Sequence, residues 1–579
     1  HRDLHSFPTR RSSDLDGIAK NRWGGQQTDD DNNSTEKIPC HVDWSPDGNH
    51  FAIYREDCRK VKELWVIDNL AKPRPKLITY ESAMPGEPVP QNELWFYSTG
   101  KNEIIKINTE KWKDQILWDF EAPTLFWNDS STKFYYTRRS RDFLNVDLCE
   151  VDVVTGKSSE RIEEKMEDVV YLKKIVLLKK TENLIWWSMR DSWGHLYMLD
   201  STNNLIQLTC GEYNVDEVVA IDENNKHIYF TAMGKEKDRN PYFRHLYKMD
   251  YYGRKISLLT PENADHKVQF SPDHSFFVDN FSRVDSLPRA VLRNSNGEKI
   301  LNLEIADITN LISRGWCFPE QFSVKAADGI TDLWGVMWRP FNFDPHKIYP
   351  VIVRTYPGKQ FENIPWRFSS LREEISLAQL GFIVINFGNR GGTFERGFDY
   401  QKFGRGNLRD FAIADKKAGV INFAKKYPFI DINKVGIFGG SSGGFCALSA
   451  LLLEPDFFKA GVSWAGPHDP SIYWNFWQER FNGVEMKQKN GNIEWMSHGS
   501  SNIELADRLK GDLLIIQGEM DNTVHPAHAA RLVDALMKAN KTFEYFVIPG
   551  VNHSDSEMYQ YVFVENLIAL FFAKHLLKQ

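Results

Sequence analysis

The residues best suited to chemistry lie in the last third of the chain. Val435-Gly436-Ile437-Phe438 reads as a strand, Gly439-Gly440-Ser441-Ser442-Gly443 as a tight turn, and Gly444–Leu453 as a helix. A strand, a G-x-S-x-G turn and a helix form a nucleophile elbow. The strained turn exposes the serine hydroxyl, and the glycines spare a collision with neighbouring backbone. The helix amino terminus faces the negative charge that develops on an acyl oxygen. Two frames fit the spacing, Gly439-x-Ser441-x-Gly443 and Gly440-x-Ser442-x-Gly444. In this type of sheet an acid and then a histidine follow the serine in chain order. Asp521 comes just after the strand-like run Leu513–Gln517, and His553 just after Phe543–Ile548. Carboxyl ends of strands are where an α/β sheet carries its functional loops. The roles then follow: the serine attacks an acyl carbon, His553 takes and returns the proton, and Asp521 fixes the imidazole tautomer. Glu519 is a rival acid, and His525 and His528 are rival bases. His525-x-x-His528 also has metal-ligand spacing, but no third ligand is evident in the sequence. No metal or cofactor is expected, because such a triad supplies nucleophile, base and electrostatics by itself.

These residues need a sheet to hold them. From about Phe318, strand-like runs (Leu333–Trp338, Pro350–Thr355, Phe382–Phe387, Val435–Phe438, Gly461–Trp464, Leu513–Gln517, Phe543–Ile548) alternate with helix-like segments. The helices are expected at Leu371–Leu380, Leu408–Ala424, Gly444–Leu453, Ala527–Ala539 and Tyr559–Leu577. Near-continuous apolar strands alternating with helices predict a mostly parallel sheet covered on both faces.

The first half has another rhythm. Apolar runs ending in Asp or Asn recur, with final residues Asp68, Asn108, Asp152, Asp200, Asp250 and Asn294. A period in the forties with several short strands per repeat predicts β-propeller blades. Six are visible, and the abrupt start predicts an incomplete ring. The expected division is 1–15, an artefact; 16–312, a partial propeller; and 313–579, an α/β-hydrolase domain. Residues 1–15 (HRDLHSFPTRRSSDL) look like translated adapter sequence, and the apolar core of a signal peptide is missing there.

The 579 residues carry 42% hydrophobic and 26% charged residues, the balance of a folded, water-soluble chain. A net charge of −7 argues against nucleic acid as a partner. The longest apolar runs are too short to span a bilayer. The six cysteines are widely spaced and form no zinc pattern.

With these motifs in view, the chain resembles the prolyl oligopeptidase family of serine peptidases, and within it the dipeptidyl peptidase IV branch. The resemblance rests on Gly-Gly-Ser441-Ser-Gly-Gly-Phe, Gly518-x-x-Asp521-x-x-Val524-His525 and Asn552-His553, preceded by the propeller. It implies that Ser441 is the nucleophile and that the Ser442 backbone N–H is one oxyanion donor. It implies that Tyr356, in Arg354-Thr355-Tyr356-Pro357-Gly358, offers its hydroxyl as the second. It also implies a proline pocket walled by Tyr473 and Trp477, with Val524 alongside. Spacing alone would place Tyr473, Phe476 and Trp477 in a helical core stripe. Two positions depart from the branch. The Glu-Glu pair expected before Trp44 is absent from the stretch Asp29–Glu36, and Thr523 stands where an Asn is expected. The resemblance implies a peptidase acting on short peptides, after Pro or a small residue. An acylaminoacyl peptidase or esterase is the alternative on the same plan. An inactive binding scaffold is the alternative of another class. The resemblance allows a homodimer and leans to a periplasmic or secreted location.

Overall fold

The computed structural model describes residues 20–24, 42–117, 125–490, 492–553 and 557–577. The first half is a succession of antiparallel sheets. Four of them have four consecutive strands each: Leu125–Lys165, Val176–Gln207, Asn214–Leu258 and Asp265–Ile305. The first sheet joins His50–Asp57, Gln91–Ser98 and Glu103–Lys106, with Asn21–Trp23 and Asp43–Trp44 sharing one side of His50–Asp57. A two-stranded hairpin, Glu63–Asp68 with Lys76–Glu81, is inserted between its middle strands.

The recurring Asp/Asn has a local cause. Asp152 Oδ1 accepts from Thr155 N (2.8 Å), Asp200 Oδ1 from Thr202 N (2.8 Å) and Asn204 N (2.9 Å), and Asp250 Oδ1 from Tyr252 N (2.9 Å). Asn294 Oδ1 accepts from Asn296 N and Glu298 N, both at 3.0 Å. Each side chain closes an Asx turn between the third and fourth strands of its sheet. Asp68 makes the same turn at the tip of the inserted hairpin, and Asn108 makes it after a fourth strand. The signature therefore reports the turn rather than the blade. Its six copies fall on five large sheets and a hairpin among the described residues.

The second half is built on one eight-stranded sheet. Its spatial order is Glu320–Lys325, Asp332–Trp338, Ile383–Phe387, Tyr349–Arg354, Ile430–Gly440, Phe458–Trp464, Asp512–Gly518 and Glu544–Ile548. Pairing is antiparallel up to Ile383–Phe387 and parallel beyond it. The strand period of two separates two cores. Val351, Val353, Val435 and Ile437 face the helices Ile413–Lys426, Ser442–Leu453 and Ala527–Lys538. Ile352, Phe438, Leu514 and Ile516 face Glu373–Gln379 and Met558–Phe572. The strand Glu320–Lys325 and the hairpin Val484–Ser497 were not among the expected elements, and the helical stripe expected around Phe476 and Trp477 is the helix Asn475–Asn482. No helix among the described residues is long and apolar enough to cross a membrane.

Candidate active site

Ser441 sits where the strand Ile430–Gly440 turns into the helix Ser442–Leu453, at φ 55° and ψ −124°. A non-glycine residue with positive φ is strained, and such strain gathers at functional positions. The Ser441 N–H donates to Trp464 O at 2.8 Å, which fixes the turn. A Cβ on Gly439 would stand 2.4 Å from Thr355 O, and one on Gly443 would stand 2.2 Å from the same oxygen. On Gly440 the nearest atom would be 3.9 Å away. Sterics thus require both glycines of the Ser441 frame and only Gly444 of the other. Ser442 is the first residue of the helix, so its N–H has no acceptor within the helix.

The acid and the histidine arrive on neighbouring loops. His553 Nε2 lies 3.1 Å from Ser441 Oγ, and His553 Nδ1 lies 2.8 Å from Asp521 Oδ2. Asp521 is fully buried, and its other oxygen accepts from Val524 N (2.7 Å) and Thr523 N (3.0 Å). These bonds leave Oδ2 aimed at the imidazole. Thr523, where an Asn was expected, therefore serves the acid through its backbone.

The rivals are held elsewhere. Glu519 accepts from Asn69 Nδ2 (2.5 Å) on the inserted hairpin and from Gly550 N (3.1 Å). His525 accepts from Ala527 N at Nδ1, so its Nε2–H donates to Trp65 O at 2.8 Å. His528 is fully buried and accepts from Asp469 N; burial pushes its pKa down to about 3.

Tyr356 follows the strand Tyr349–Arg354 and stacks on Phe361, with ring centroids 5.3 Å apart. Burial raises the pKa of its phenol, and hydrogen bonding with Ser442 and Ser441 opposes that rise. A phenol so held stays protonated and remains a donor. Beside Ser442 a narrow cavity opens, lined among others by Phe445, Pro467, Pro470, Tyr473 and Trp477. Tyr473, just before the helix Asn475–Asn482, and Trp477, in its first turn, thus share a wall. Val524 is fully buried beside Asp521 and is not among the described residues lining this cavity. The two prolines escaped sequence reading, since nothing in their local pattern marks a pocket. The stretch 29–36, where the branch's glutamate pair would stand, lies outside the described residues.

Two family models match the chain. The dipeptidyl peptidase IV (DPP IV) N-terminal region matches residues 38–288, and the prolyl oligopeptidase family matches residues 366–579. Each half of the chain is thus similar to its counterpart in the prolyl oligopeptidase family's dipeptidyl peptidase IV branch. Human dipeptidyl peptidase 8 is 28% identical over 367 residues, covering 60% of this chain and 40% of the relative. The "Probable dipeptidyl-aminopeptidase B" of Aspergillus terreus is 26% identical over 559 residues, covering 88% of this chain and 58% of the relative. The chain thus spans about half the length of these curated relatives. A Bacteroides ovatus protein provisionally named a dipeptidyl aminopeptidase IV superposes with a TM-score of 0.83 at 25% identity, over 96% of this chain and 79% of its own. Porphyromonas gingivalis dipeptidyl peptidase 4 shares the fold, with a TM-score of 0.83 at 22% identity, over 96% of this chain and 77% of its own. The family's architecture is an amino-terminal propeller followed by an α/β-hydrolase domain.

Proposed function

We propose that this chain is a serine peptidase that hydrolyses short peptides in the manner of the dipeptidyl peptidases, with preference for Pro or a small residue before the scissile bond. The observation that carries the proposal is the run of contacts Ser441–His553–Asp521, at 3.1 and 2.8 Å. His553 Nε2 takes the Ser441 proton as Oγ attacks the scissile carbonyl, and Asp521 stabilises the imidazolium that forms. The oxyanion accepts from the Ser442 N–H and the Tyr356 hydroxyl. His553 then protonates the leaving amine, and a water, deprotonated by the same imidazole, releases the acyl group. Tyr473 and Trp477 offer flat apolar walls, which suit a pyrrolidine ring that has area and no donor; Val524, beside the acid, is assigned to the same pocket on the family resemblance alone.

The catalytic domain is proposed to begin at residue 313, between the sheet that ends at Ile305 and the strand that opens at Glu320. The five sheets are proposed to form an open arc of blades. In support, the outer strand of the fifth exposes Leu301, Leu303 and Ile305, and Trp44 of the first is 44% exposed. A structure in which the first and fifth sheets pack face to face would contradict this. Met558, Tyr559 and Phe563, exposed on the last long helix, favour a homodimer; a monomer by light scattering would contradict that.

The activity is tested by comparing chromogenic amides of free dipeptides with their amino-blocked counterparts. Turnover of free X-Pro and X-Ala amides above the blocked forms is expected. Turnover of blocked substrates alone would favour an acylaminoacyl peptidase, and no turnover at all would favour a binding scaffold.

A further inference from the structure

The helix Asn475–Asn482 is gripped by the other half of the molecule. Its Glu479 is buried, with a side chain 1% exposed, and Arg141, from the second sheet of the propeller half, is 2% exposed. Arg141 holds Glu479 with two parallel bonds, Nε to Oε2 at 2.7 Å and Nη2 to Oε1 at 2.6 Å. The same guanidinium donates to Glu87 O (3.0 Å) and lies 4.8 Å from the centroid of the Trp495 ring, on the hairpin that follows the helix. Gly86 N donates to Glu479 Oε1 at 2.7 Å, and Asn475 N donates to Ala83 O at 3.0 Å. Thus the start and the middle of this short helix are tied to residues 83–87 and 141.

Trp477 lies between the two ties. Trp477 and Phe481, one turn apart on the helix, and Tyr473, two residues before it, line the cavity beside Ser442. Glu479 is two positions from Trp477, on the far side of the helix. The fork of Arg141 fixes rotation as well as distance, because two parallel bonds leave a carboxylate one orientation. A lysine, a point charge on a flexible stem, would not do the same.

We propose that Arg141 is a positioning residue for specificity: through Glu479 it sets where Trp477 and Tyr473 stand, so the propeller half decides how well the pocket grips a ring. The proposal rests on the peptidase reading and adds to it the residue that tunes that pocket.

The test compares wild type with Arg141→Lys, Arg141→Gln and Glu479→Gln on X-Pro amide, X-Ala amide and a small acetyl ester. Melting curves identify the folded variants, and Glu479→Gln, which keeps side-chain volume and the Gly86 bond, covers the case in which Arg141→Gln fails to fold. The expected result is a fall of about tenfold or more in kcat/KM for the Pro amide, the scale of a modest pocket change. The Ala amide should fall less, and the ester should stay within about threefold. The double variant should lose little more than the worse single one, as residues acting through one contact do. Equal losses on all three substrates, or unchanged Pro-over-Ala selectivity in folded variants, would overturn the proposal. If the wild type cleaves neither amide, the peptidase reading itself fails and takes this one with it.

Discussion

A Cβ added to Gly443 would stand 2.2 Å from the carbonyl oxygen of Thr355. The residue after Thr355 is Tyr356, so the elbow helix and the tyrosine loop meet at that one oxygen. Gly443→Ala must therefore push the tyrosine, the helix amino terminus, or both out of place. Gly439→Ala faces the same oxygen at 2.4 Å. Each should cost roughly a hundredfold or more in turnover, the scale of a misplaced catalytic group. Gly440→Ala, with its nearest neighbour at 3.9 Å, should stay within a few-fold of wild type. Steady-state kinetics on an X-Pro amide checks all three.

Tyr356→Phe removes only a hydroxyl. If that hydroxyl serves the oxyanion, kcat should fall about 10²–10³-fold with KM nearly unchanged, as for other lost oxyanion donors. A rise in KM alone would make Tyr356 a binding residue.

Trp477→Ala should lower kcat/KM on Pro substrates by at least roughly tenfold, since the loss of even one methylene's contact in an apolar pocket is worth about that much. The loss should be smaller on Ala substrates and nearly absent on an acetyl ester, whose acyl group is too small to reach the wall. Equal losses on all three would make Trp477 a core residue.

Much of this site was legible because its parts sit at strand ends. The turn at Ser441 and the positions of Asp521 and His553 follow from apolar runs and the punctuation after them. The choice between Ser441 and Ser442 does not: spacing allows both, and the positive φ at Ser441, the Thr355 oxygen and the His553 contact separate them. Glu519 and His525 looked equivalent to the chosen acid and base until the hairpin that engages both, more than 400 positions earlier, was in view. The helix Asn475–Asn482 read as a core stripe or a pocket wall for a similar reason. One face of it does each, and Glu479 meets a partner that no local pattern reveals. The repeat was legible as turns, since Asp68 and Asp152 make the same Asx turn in different settings.

His468 gives a pH prediction. It is 1% exposed, lies 3.0 Å from Ser463 Oγ through Nε2 and 3.3 Å from Asn502 Nδ2 through Nδ1, and burial pushes its pKa down to about 3. Below its ordinary value of 6.5 the unfolded chain binds a proton that the folded protein refuses, so stability falls as pH falls through that window. From pH 7.5 to 5.0 this one group should cost about 2 kcal/mol. Urea titrations of wild type and His468→Gln at the two pH values should show a shallower acid loss in the variant. An identical loss in both would mean that other groups carry the acid sensitivity.

The central claim is that Ser441, activated by His553, is the nucleophile. A fluorophosphonate probe reacts with an activated serine and marks it covalently. Peptide mapping of the labelled protein should place the adduct on Ser441, with labelling lost in Ser441→Ala, strongly reduced in His553→Ala and retained in Ser442→Ala. An adduct on Ser442, or no adduct on the folded wild-type protein, would contradict the account.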